Sequence, residues 1–124
     1  MKTIFFIAIG GGLSSVLHYL TTLVVNKYFE SNFPVATFIT NILGCLLIGV
    51  FFGVFEKQNT ISQDLKFFLI TGICGGYTTF SAFSLENVQL IQTNQLIIPF
   101  LYIGASILLG LMATWCGLFL VKSL

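Results

Sequence analysis

Charge is what this sequence lacks most. Only 7% of its residues are charged, and all five basic residues are lysines: Lys2, Lys27, Lys57, Lys66 and Lys122. A water-soluble domain carries roughly a quarter of its residues as Asp, Glu, Lys and Arg. This chain cannot cover itself with charge, so lipid must cover it. With a net charge of +1 and no basic cluster, it has no face for nucleic acid. Cysteine is sparse as well. Cys45, Cys74 and Cys116 lie far apart in apolar segments, an odd count without metal-ligand spacing, which argues against a disulfide framework or a zinc site. Each is expected to be a small buried side chain on a helix. The chain also has no nucleophile–base–orienter set, metal cluster or phosphate loop, so it is not read as an enzyme.

What is there is hydrophobic: 56% of the residues, with a mean hydropathy of +1.01. Charges and turn formers cut the chain into four spans, about Thr3 to Asn26, Pro34 to Phe55, Leu65 to Ile91 and Ile98 to Val121. Each exceeds the roughly 20 residues a membrane-crossing helix needs. The connectors KYFESNF, EKQNTISQD and QTNQL are short, and Pro34 and Pro99 sit at helix starts, where a missing N–H does no harm. The first apolar run is too long for a cleavable leader and has no convincing cleavage site, so it is read as a retained helix. The expected fold is therefore an all-α membrane protein, one four-helix transmembrane domain over residues 1–124, with no soluble domain or internal repeat. Lys2, Lys57, Lys66 and Lys122 fall on one side of such a bundle and Lys27 on the other, which favours cytoplasmic termini by the positive-inside rule.

Small and polar residues form faces within the spans. Tyr102, Ser106, Gly110 and Thr114 recur every four residues in the fourth. Thr37, Asn41, Gly44, Cys45 and Ile48 share a face of the second, and Gly49 and Gly53 form a G-x-x-x-G pair for close helix approach. Asn41 needs a partner, because an amide in mid-span cannot rely on water. The third span carries "GICGGYTTFSAFSLE", residues 72–86, its least helical stretch. Gly75-Gly76 and Thr78-Thr79 have poor helix propensity and mark the expected break. Non-helical backbone at bilayer depth is tolerated only where protein buries it or it lines a cavity, and broken helices often bind ions. After the break Phe80, Phe83, Ser84 and Asn87 share a face, with Ser81 beside it, and a phenylalanine edge can attract an anion. Glu86 is an intramembrane carboxylate and so a functional candidate by default, unless it reaches the water interface.

"GGYTTFSAF", together with "TFITNILG" in the second span, resembles the Fluc/CrcB family of small bacterial fluoride channels, over essentially the whole chain. The resemblance implies an antiparallel, dual-topology homodimer in the bacterial inner membrane, with two fluoride pores and a structural sodium ion at the dimer interface. It implies that backbone carbonyls of Gly75 and Thr78 from both subunits ligate sodium, a hard cation that suits oxygen ligands. It also implies that Phe80 and Phe83 form an aromatic pore box, that Asn41 and Glu86 shape a vestibule, and that Tyr102, Ser106 and Thr114 form a polar track. Further hydrogen-bond donors to fluoride would be Asn41, Thr79, Ser81 and Ser84, and His18 would stand with Glu86 at the vestibule. The function so implied is passive fluoride export that relieves toxicity.

Two features depart from that family. His18, before Tyr19, stands where the family usually has an arginine, and an imidazole, unlike a guanidinium, can be neutral near physiological pH. A lysine count of four against one is more bias than dual topology leads one to expect, unless the bias is too weak to decide insertion or the partner is an oppositely oriented homologue. A small multidrug exporter of four helices is the alternative. It needs a titratable carboxylate deep in the membrane, typically in the first helix, where this chain has none; Glu86 is the only span candidate. An accessory subunit that only packs against a larger complex is a third reading.

Overall fold

A computed structural model of the chain describes residues 1–30 and 33–124. The connector KYFESNF includes positions 31 and 32, which lie outside the described residues. The elements are all helical: α1 (Lys2–Tyr28), α2 (Val35–Lys57), α3 (Gln63–Lys66), a π-helix (Phe67–Cys74), α4 (Gly75–Tyr77), α5 (Phe80–Gln92) and α6 (Ile97–Lys122). The pieces from Gln63 to Gln92 make one interrupted span, and with α1, α2 and α6 give four segments long and apolar enough to cross a membrane. Their limits fall one or two residues from those read in the sequence.

Local chemistry accounts for the ends. Ser62 caps α3 by accepting the Leu65 amide at 3.3 Å. Asn94 closes α5 with a left-handed backbone, φ 64°. Its amide bonds to Ile91 O at 3.1 Å and that of Gln95 to Leu90 O at 3.0 Å, the Schellman pattern. The bonds satisfy carbonyls that the end of α5 would otherwise strand.

The side chains are sorted for lipid. The three most completely buried large ones, Tyr102, Thr40 and Ser14, all carry hydroxyls, while Leu13, Phe100, Leu111 and Trp115 face outward. A protein folded against water shows the reverse. Without a hydrophobic drive between helices, association rests on close packing and hydrogen bonds. Accordingly α2 packs along α6, and α1 along the third span. A Cβ on Gly49 would strike the Thr114 carbonyl, and one on Gly117 the Leu46 carbonyl. Gly53 faces Val121, so the G-x-x-x-G face of α2 is turned to α6. On the other side, a Cβ on Gly10 would lie 2.8 Å from Phe68 O and 3.1 Å from Gly72 Cα. Hydroxyls bind across both seams: Thr114 donates to Cys45 O at 3.0 Å and Ser14 to Gly72 O at 3.0 Å.

Two expectations are corrected. The glycines do not unwind: Gly75 has φ −65° and ψ −36°, and both it and Gly76 lie within α4. Gly76 is needed for contact instead, since a Cβ there would strike Ser14 Oγ and lie 2.8 Å from Gly11 O. The break falls at Thr78 (φ −85°, ψ 156°) and Thr79 (φ −150°, ψ 115°), whose β-branched side chains take extended backbone readily. Of the cysteines, Cys74 is buried and Cys45 half-buried, but Cys116 is exposed on the apolar face of α6.

Candidate functional site

The break redirects three hydrogen bonds. In a continuous helix the carbonyls of Gly75, Tyr77 and Thr78 would receive the amides of Thr79, Ser81 and Ala82, four residues on. Here the Thr79 amide donates to Asn41 Oδ1 at 2.8 Å. The Ala82 amide donates to Thr79 Oγ1 at 3.1 Å, an N-cap for α5. The Tyr77 carbonyl accepts from His18 Nδ1 at 2.8 Å. Gly75 and Thr78 thus lose their helical donors, as does Gly76 at the same turn, and among the described residues no other donor meets the Gly75 and Thr78 carbonyls. Asn41 also donates through Nδ2 to Thr79 O at 3.3 Å, so one amide clamps both polar groups of the Thr79 backbone. Gly44, one turn along α2, leaves room for the Thr78 methyl, which a Cβ there would strike. Thr78 Oγ1 turns back to Cys74 O at 2.9 Å.

Beside the break lies a cavity of about 390 Å³. Its walls bring together Asn41 and Ser106 with Gly75, Thr78 and Thr79, and with the rings of Phe80 and Phe83. Ile48, Ile70 and Ile107 complete an apolar lining. The Ser106 hydroxyl is buried and has no hydrogen-bond partner among the described residues. The two phenylalanines differ. Their centroids are 5.8 Å apart, but Phe83 turns inward against Tyr102, centroid to centroid 4.8 Å at 63°, whereas Phe80 is 79% exposed.

A second group surrounds Glu86. Tyr102 OH donates to Oε1 at 2.9 Å and Thr37 Oγ1 to Oε2 at 2.8 Å. A further cavity of about 280 Å³, lined by Pro34, Glu86, Gln89 and Gln95 among others, opens beside the carboxylate. The Phe83–Tyr102 ring contact stands between the two groups. Asn41 and Glu86 therefore belong to different cavities. His18 lines neither; it sits half-buried on α1 against Tyr77. Ser81 and Ser84 are exposed on α5, with Ser81 3.2 Å from the Thr79 hydroxyl. Thr114 does not line the cavity; it ties α6 to α2 through the carbonyl of Cys45, a residue that does. Sequence reasoning missed Ser14 and the bond from Thr37 to Glu86. Ser14, four residues before His18, and Thr37, four before Asn41, both carried the helical spacing that marks a shared face.

Comparison with known proteins agrees with this architecture. The family model described as CrcB-like protein, Camphor Resistance (CrcB), matches residues 5–118. A protein of Flavobacterium psychrophilum named fluoride-specific ion channel FluC is 71% identical over 124 residues, all of both chains. Relatives of the same name from Azobacteroides pseudotrichonymphae and Phocaeicola vulgatus are 43% and 42% identical, covering 98% and 97% of this chain and 98% of each relative. With four spans aligned throughout their length to these relatives, the chain belongs to the CrcB family and is a multi-pass membrane protein.

Proposed function

We propose that the protein is a passive, fluoride-selective channel of the bacterial inner membrane that releases fluoride from the cytoplasm. The observation that carries this reading is the apolar cavity at the break, where the buried Ser106 hydroxyl has a donor to spare. Fluoride is small and strongly hydrated, so a pore must replace its water with donors and positive partial charge. Ser106 supplies one donor and Asn41 another, since Nδ2 has a second N–H beyond the one given to Thr79. The edges of Phe80 and Phe83 supply positive partial charge. Of the track along Tyr102, Ser106 and Thr114, Tyr102 donates to Glu86 and Thr114 to Cys45 O, whereas the Ser106 hydroxyl has no partner among the described residues. The names of the relatives support the choice of ion.

Sodium fits the break. Uncharged carbonyl oxygens suit a hard monovalent cation, and Gly75 and Thr78 have two to offer. One chain is too few for a full shell, so a second copy, antiparallel, would supply the same pair. When bound, the cation would neutralise carbonyl dipoles stranded at bilayer depth. An exposed Phe80 next to those carbonyls also supports a partner there, either a second copy or an oppositely oriented homologue. A proton-coupled exporter is disfavoured because its only candidate carboxylate, Glu86, is held by two hydroxyls. The test is ion efflux from liposomes holding the purified protein, with chloride as control. Fluoride release well above that of protein-free liposomes, with little chloride, is expected. Phe83→Ile should slow it without loss of folded protein. No fluoride release from the intact protein would overturn the proposal.

A further inference from the structure

His18 is the chain's only histidine, and its ring meets the third span at one backbone oxygen. A carbonyl only accepts, so at 2.8 Å from Tyr77 O it is Nδ1 that carries the proton. Tyr77 is the last helical residue before the break, and its carbonyl has lost the Ser81 amide to the turn of the chain. The imidazole takes that amide's place. The same tyrosine is held at its far end, where its hydroxyl lies 2.9 Å from Thr21 Oγ1. The imidazole meets the Tyr77 ring edge-on, 6.2 Å between centroids.

These contacts bear on Thr78. A peptide unit is planar, so fixing its C=O also fixes its N–H, and the reverse. The plane before Thr78 is held by His18 at the Tyr77 carbonyl and by the bond from the Thr78 amide to Cys74 O at 3.1 Å. The plane after it is held by Asn41 at the Thr79 amide, which points the Thr78 carbonyl the opposite way. Each flanking plane is thus set by a side chain from a different helix, α1 on one side and α2 on the other. Free carbonyls bind a cation well only if they need not reorient to do so.

We infer that His18 is a positioning residue for the cation site: its Nδ1–H, by holding the Tyr77 carbonyl, fixes the plane from which the chain turns at Thr78, so that the Thr78 carbonyl, pointed by Asn41, faces the cation. This rests on the sodium site proposed above. The group that matters is a donor at the Nδ1 position. Asparagine places its amide nitrogen close to that position and glutamine one bond farther, so the two separate the donor from mere polarity.

The experiment follows the thermal midpoint of the purified full chain as sodium chloride is added to sodium-free buffer, and fluoride efflux across the same range. His18→Leu should raise the half-maximal sodium concentration by roughly three- to tenfold, the span one neutral hydrogen bond supplies. High sodium should then restore its efflux, which a defect of packing alone would not allow. His18→Asn should keep the wild-type response. Should His18→Leu fail to fold, His18→Gln against His18→Asn carries the comparison, with the glutamine form needing more sodium. An unchanged sodium response in His18→Leu overturns the inference. So does an asparagine form as impaired as the leucine or glutamine form, which would leave the ring's packing on Tyr77 as the whole effect. If the wild type itself does not respond to sodium, the cation site falls and this role falls with it.

Discussion

Tyr102 has no exposed surface, and its hydroxyl shares the Glu86 carboxylate with that of Thr37. Its ring is packed independently of that bond, 4.8 Å from Phe83 and 5.2 Å from Phe33. Tyr102→Phe therefore removes one donor and leaves the aromatic contacts in place. Taking one partner from a part-buried bond to a carboxylate costs about 1–3 kcal/mol. Glu86 is half-exposed, so water makes good some of the loss and the lower end is expected. The effect should depend on the carboxylate. In a Glu86→Gln background Tyr102→Phe should cost less, because the interaction it breaks is already weakened. Unfolding of the four proteins in detergent checks this, and strictly additive costs would mean that hydroxyl and carboxylate act separately. Asn41 works at the same scale by a different means, its single amide answering both halves of the Thr79 backbone.

Helix pairs are held by what their glycines lack. At the α2–α6 crossing a Cβ on Gly49 would meet backbone, the Thr114 carbonyl, with its carbon 3.0 Å away, and backbone cannot step aside as a flexible side chain can. Gly49→Ala should thus lower stability by about 1–3 kcal/mol, the usual range for overpacking, and cut the yield of folded protein. Gly12→Ala and Gly104→Ala are the controls: a Cβ at either meets nothing within 4 Å, and the gain in helix propensity is roughly 0.5–1 kcal/mol. Thermal unfolding of the three variants decides the matter, and a mild Gly49→Ala would show that α2 and α6 slide freely. These seams also indicate which features a sequence displays. Span number and limits were readable because apolar length and end signals are local, as was the G-x-x-x-G of α2. The break could be placed near GGYTT, but not assigned to the threonines. Propensity counts Gly75 and Gly76 as weak helix formers, whereas the contact of Gly76 with Ser14 and Gly11 keeps that turn helical. The π-helix Phe67–Cys74, FFLITGIC, has nothing in its sequence to mark it off from an ordinary helical segment. The partners of Asn41, His18 and Thr37 are 38, 59 and 49 residues away, and no local pattern records such a pairing.

At the scale of the whole molecule, Gly75 separates what the chain needs from what an assembly needs. It is exposed and helical, with φ −65° and ψ −36°, and the nearest atom to a Cβ there would be Ile70 O at 3.8 Å. Within one copy, then, a larger side chain has room, and Gly75→Ala gains roughly 0.5–1 kcal/mol of helix propensity. The surface around it is less at ease in lipid. The Gly75 and Thr78 carbonyls have lost their helical donors, and unsatisfied backbone facing hydrocarbon costs several kcal/mol per group. The second copy proposed above, bringing the same carbonyls to a shared cation, would cover this face on both chains at once. Bulk at Gly75 should therefore spare the fold and spoil the assembly. Gly75→Val should keep its helix content by circular dichroism, yet show fewer dimers by light scattering or by subunit counting in bilayers, with fluoride efflux falling in step. Gly75→Ala should fall between it and wild type. A Gly75→Val protein that pairs, responds to sodium and conducts like the wild type would place the contact between copies elsewhere on the molecule.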